Sequence, residues 1–164
     1  MAGTVPAVVS GFAVTAAGPG VFVLDPAPGD AALIDRVLAG PLGPGTLAEL
    51  VGVDPAGLAG ADRVGLIQAF ERVAGLVAGH QQAALAAVVA ATTALGLDGE
   101  AARHEVGAAL RLSPPVAAAR TQVARTLVHR LPATLAALTA GRIGYLQARA
   151  VAETVTDLGL SDPA

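Results

Sequence analysis

Residues 105–127 read EVGAALRLSPPVAAARTQVARTL. Val106 and Leu110 stand four apart, the spacing of one face of a helix over about Glu100–Leu110. Arg111, Leu112 and Ser113 break that helix. Ser113 is a good N-cap for the next one, and Pro114 fits its first position, where a backbone N–H would have no partner anyway. The second helix then places Val116, Val123 and Leu127 on one side, with Arg120, Thr121, Gln122 and Arg125 around its outer surface. Helix, tight turn and basic second helix form the plan of a helix-turn-helix unit, whose second helix reads DNA.

Working outward, the pattern stays helical. On the N-terminal side a long helix is expected from Ala61 or Asp62 to Leu95, stopped by Gly96. Leu66, Phe70, Val73 and Val77 form its apolar stripe, and Leu85, Val88 and Val89 continue an apolar face. Gly79 and the polar group His80, Gln81 and Gln82 interrupt it. At 1.5 Å per residue a helix over 61–95 is about 50 Å long, so several helices or a second copy must cover it. On the C-terminal side, Leu131 and Pro132 end the arginine-bearing helix and open another, with Leu135 and Leu138 buried and Gly141 as the stop. Ile143, Leu146, Ala150 and Val151 make the stripe of a last helix fading at Gly159.

Toward the N-terminus, Asp30 opens a short helix that ends at Gly40, PLGPG breaks the chain, Thr46 caps a helix through Val51, and Asp54–Pro55 start a turn. Residues 1–29 mix small apolar residues with glycine and proline. They are expected to be a flexible, poorly ordered tail in which residues 12–24, FAVTAAGPGVFVL, have room for a short strand pair. The expected fold is therefore all-α: an array of six to seven helices with one long central helix and a helix-turn-helix-like unit. Residues 30–164 are expected to form a single helical domain.

Composition narrows the chemistry. With no cysteine among 164 residues, neither disulfides nor thiolate sites are possible. Aromatic residues are only 2 %, so the buried surface must come from alanine, leucine and valine, which suits closely approaching helices. A mean hydropathy of +0.63 raises the question of a membrane. The longest apolar stretch, Ala83 to Leu97, falls short of the roughly 20 residues a spanning helix needs, and His80, Gln81 and Gln82 precede it. The N-terminus lacks a basic region before its apolar residues, unlike a secretory signal. A cytoplasmic location with no membrane partner is the expectation.

Charge is unevenly spread. Residues 1–100 carry three arginines and nine acids, residues 101–150 carry seven arginines and one acid, and the last fourteen carry three acids, which together give the net −3. A weakly acidic chain thus contains a basic middle segment able to attract a polyanion. Candidate DNA contacts are Arg111, Ser113, Arg120, Gln122, Arg125 and Arg130, through phosphates or guanine edges. The plain alternative is a helical hairpin whose arginines are solvated or paired with acids of the front half.

No residue set asks for catalysis. His80, His104 and His129 lie on three separate expected helices with no ligand spacing. His80 suits a hydrogen bond to a neighbouring helix, and His129 a helix end favoured by the dipole. Asp98 and Glu100 flank a loop glycine, and Glu153 with Asp157 is a solvent-facing couple. No catalytic residues, metal ligands or cofactors are expected.

The tract from Leu66 to Leu158 resembles the actinobacterial domain of unknown function 222 family, including the mycobacterial 13E12 repeat proteins. The motifs that carry this are LRLSP at Leu110–Pro114, RLPATLAALTAGRI at Arg130–Ile143 and QARAVAE at Gln147–Glu153. Similar turns precede an arginine-bearing helix in sigma-type transcription factors. The resemblance implies a helical module of the kind that commonly precedes an HNH endonuclease domain. The HNH histidines and asparagine have no counterpart here, since the chain contains no asparagine. The nuclease half is therefore expected to be missing from this chain. Two functions follow as expectations: a non-catalytic, DNA-engaging accessory domain serving a nuclease-domain partner, or a structural module that self-associates through the long helix 61–95.

Overall fold

The computed structural model describes residues 8–9, 12–18, 21–26 and 28–159, with side chains from residue 29 onward. Three short strands come first: β1 (Val8–Val9), β2 (Phe12–Gly18) and β3 (Val21–Pro26). They form an antiparallel meander in the order β1-β2-β3, with Thr15 opposite Val23 and an irregularity between Ala16 and Gly18. The strand pair expected over residues 12–24 is therefore present; residues 1–7, 10–11, 19–20 and 27 of that tail lie outside the described ones. From Pro28 the described chain is helical: α1 (Pro28–Ala39), α2 (Thr46–Val51), a 3-10 turn (Pro55–Gly57), α3 (Gly60–Ala94), α4 (Gly99–Leu110), α5 (Pro114–His129), α6 (Pro132–Thr139) and α7 (Tyr145–Asp157). The array of seven helices with one long member matches the sequence expectation.

The chain gathers into two compact units, Met1–Val73 and Ala74–Ala164, the division falling inside α3. In the first unit Ile34 and Val37 of α1, Leu50 of α2, and Leu66, Ala69 and Val73 of α3 close a core with Val53 and Leu58. Arg72 spans this unit, its guanidinium donating to the carbonyls of Val37, Leu38 and Gly40 at the end of α1. Those carbonyls have no helical partner of their own, which is why a cation beside them is favourable. Thr46 does not cap α2. Gly45 holds that position, and the Thr46 hydroxyl instead accepts from the Gly43 N–H at 3.0 Å, tying the preceding turn.

In the second unit, Val123 and Leu127 of α5, Leu138 of α6, and Ala148 and Ala152 of α7 form one core. Leu85 and Ala86 of α3, Val106 of α4 and Ala124 of α5 form the other. Gly75 and Gly79, one turn apart on α3, let α6 and its following turn come in against bare backbone. A Cβ at Gly79 would sit 2.8 Å from the Cα of Thr139 and 2.9 Å from its nitrogen; one at Gly75 would sit 2.9 Å from the Ile143 carbonyl oxygen. Gly79 is thus a packing position and not an interruption of the helix.

Several large apolar residues expected inside are outside. Phe70 and Val77 on α3, Leu110 at the end of α4, and Val116 at the start of α5 are exposed. The stripe expected on α7 is on the wrong face: Leu146 is 74 % exposed, while Ala148 and Ala152 are buried. Methyl side chains let neighbouring axes approach, so in this unit alanine wins the inward positions. Among the polar group of α3, His80 is exposed and Gln82 is the buried member, at 1 % exposure. Neither amide atom of Gln82 has a hydrogen-bond partner among the described residues.

Candidate nucleic-acid interface

Helix α4 starts at Asp98, whose carboxylate accepts from the N–H groups of Glu100 and Ala101. It stops at Arg111, which adopts the left-handed conformation at φ 53° and ψ 43°. The Leu112 N–H reaches back to the Gly107 carbonyl at 2.8 Å and the Arg111 N–H to Ala108, closing a Schellman turn. Glycine normally takes such a position, and does so at Gly96, Gly141 and Gly159; Arg111 is the one described non-glycine residue with positive φ. A side chain there costs about 1 kcal/mol. Ser113 stands in extended conformation ahead of Pro114 as expected, but its hydroxyl makes no capping hydrogen bond.

Helix α5 buries Ala117, Thr121, Val123, Ala124, Thr126 and Leu127. That broad apolar arc leaves a narrow outer strip, on which Ala119, Gln122, Arg125 and His129 are exposed. Gln122, Arg125 and His129 follow a three-four spacing and share one face. Arg120 does not join them. It stands five residues before Arg125, which turns it about 140° around the helix, and it is half-buried on the packed side. Thr121, read as outward-facing, is buried, its hydroxyl donating to the carbonyls of Ala117 and Ala118. Arg130 is half-buried at the C-cap, while Arg111 and Ser113 are exposed in the turn.

Of the seven arginines in residues 101–150, only Arg149 makes a carboxylate ion pair among the described residues, with Glu153 at 2.7 Å. That partner's hydrogen bond and charge raise the Arg149 pKa above its ordinary value. Arg103, Arg111, Arg120, Arg125, Arg130 and Arg142 form no side-chain hydrogen bond or ion pair among the described residues. Of the front-half acids, Glu49 pairs with Arg36, and the Asp54 carboxylate accepts from the Ala56 N–H.

One concave feature lies beside this strip. A groove of about 480 Å³ is bounded by Ala86, Val89 and Ala90 of α3, Gly99 at the start of α4, and Arg125 and His129 of α5. Sequence reading assigned His129 only to a helix end and missed the groove altogether. The four-residue spacing of Arg125 and His129 is the one sequence signal that could have drawn attention to it. His104 lies 3.8 Å from Glu100 within α4. Among the described residues no group of three or more histidine, aspartate or glutamate side chains is placed to hold a metal ion. Helix α3 is long and apolar enough to cross a membrane by length and composition, the one described helix of which that is true. Leu66, Ala69, Leu85 and Ala86 on it are buried within the protein, whereas Val64, Ile67 and Val77 are exposed.

The profile of a family described as "Domain of unknown function (DUF222)" matches residues 66–163, more than half of the chain. No curated protein and no solved structure gives a match.

Proposed function

We propose that this chain, which belongs to the domain of unknown function 222 family, is a non-catalytic helical accessory domain that engages DNA and positions it for a nuclease-domain partner. The observation that carries this is the set of six arginines in residues 101–150 without carboxylate partners among the described residues. An unpaired, solvent-reaching guanidinium is suited to phosphate, because it presents a planar fork of donors and stays charged. The contacts are to the backbone more than to bases. Arg120 and Arg125 diverge around α5, and the first exposed positions of that helix, Pro114, Pro115, Val116 and Ala119, offer no side chain to hydrogen-bond a base edge. Arg111 and Arg125, with Gln122 between them in sequence, are the central contacts, and Arg130 and Arg142 add phosphate attraction.

Binding of a duplex measured by fluorescence anisotropy tests this. With about four phosphates neutralised, the affinity falls with a log–log salt slope near −3.6. Arg125→Ala then weakens binding to all sequences alike and shallows the slope by about 1. A salt-independent affinity, or an Arg125→Ala variant indistinguishable from the parent, rejects the proposal.

A second reading, self-association through α3, is favoured by the exposure of Val64, Ile67, Phe70 and Val77 along that helix. It predicts an oligomer whose mass in sedimentation rises with concentration and ignores salt.

A further inference from the structure

The groove beside α5 carries chemistry that DNA contact does not require. Its floor, Ala86, Val89 and Ala90, presents methyl groups, and on its opposite wall stand Arg125 and His129, one turn apart. At about 480 Å³ it falls within the ~300–1,000 Å³ typical of small-molecule sites. Among the described acids of the same unit, Asp98 caps α4, Glu100 stands beside His104 and Glu153 holds Arg149, while Glu105 and Asp157 pair with no arginine. Arg125 therefore faces this cavity with no ion-pair partner among the described residues. An apolar floor under an uncompensated cation complements a molecule that is hydrocarbon at one end and anionic at the other.

We propose that this groove binds a small amphiphilic anion, a carboxylate or phosphate monoester on a short hydrocarbon body. The head group sits on the Arg125 guanidinium, which can grip two oxygens at once, with the His129 imidazole giving a further hydrogen bond. The hydrocarbon lies along α3 on the exposed methyl groups of Ala90 and Ala94, beside the buried Ala86 and Val89, and displaces water from them. The site stands independently of the DNA reading, although the two share Arg125.

Titration of the whole chain with hexanoate and with hexyl phosphate, followed by the backbone amide shifts of Ala90, Gly99 and His129, tests it. Saturable shifts are expected with at least one of the two, and which one identifies the preferred head group. Hexanol and inorganic phosphate, each holding only half of the chemistry, bind at least about tenfold more weakly, and Arg125→Gln weakens the better ligand by a similar factor. Ala90→Leu, which fills the floor and leaves Arg125 and His129 in place, also loses the ligand while its DNA anisotropy titration is unchanged. The inference is overturned if neither amphiphile shifts these amides, if inorganic phosphate matches hexyl phosphate, or if Ala90→Leu binds as the parent does. None of those results bears on the salt-dependent DNA binding, which fails or stands by its own slope.

Discussion

Two helix–helix turns of the second unit are built alike and used differently. Both α4 and α6 end in a Schellman turn, closed by the Leu112 N–H on Gly107 in one and the Arg142 N–H on Ala137 in the other. The left-handed residue is Gly141 after α6 and Arg111 after α4. Gly141 is buried, and its Cα lies 3.3 Å from where a Cβ on Gly75 would be, so the backbone of this turn packs closely against α3. Arg111 is exposed and only strained. The same backbone device therefore serves packing in one place, while in the other it holds a charged side chain in a conformation that glycine would adopt more easily. Strain kept at a surface cation is the kind of outlier from which a functional role is reasonably inferred.

Mutations can break this contrast, and the largest effect falls on the last turns of the two helices. Leu138, fully buried at the end of α6, should lose about 3 kcal/mol on truncation to alanine, whereas Leu110, at 38 % exposure at the end of α4, should lose under about 1. Urea unfolding of both variants checks the difference, and equal losses would show that the α4 end is as tightly packed as the α6 end. Next comes Gly79→Ala, whose new methyl meets the backbone of Thr139. A loss of about 2 kcal/mol is expected in the same experiment, since backbone and not a pliable side chain must yield. The smallest pair sharpens the comparison most. Gly141→Ala should destabilise by about 1.5 kcal/mol, and Arg111→Gly should stabilise by about 1 kcal/mol while shallowing the DNA salt slope. A destabilised Arg111→Gly protein would mean that the arginine is held by packing, and the contrast would collapse.

Helix boundaries were legible because their causes lie within a few residues. Pro114 and Pro132 opening α5 and α6, and Gly96 and Gly141 closing α3 and α6, act through contacts between near neighbours in the chain, whereas Asp98, read as a loop residue, caps α4. The candidate site was legible only in part. Composition located the arginine-rich segment, but helical geometry separates Arg120 from Arg125, and the groove is made by three helices that sequence spacing does not bring together. Its α3 wall is mostly alanine, which looks the same in a sequence whether it lines a cavity or a core.

From the sequence alone came the helical class, the tight turn ahead of Pro114, the basic middle segment and the absence of a thiol. Only the tertiary structure decided which faces turn inward: Ala148 and Ala152 over Leu146 and Val151, and Gln82 over His80. In a chain so rich in alanine nearly every face of a helix is apolar, so periodicity alone leaves the choice open. It is settled by how closely two axes can approach, a property of the pair of helices and not of either sequence.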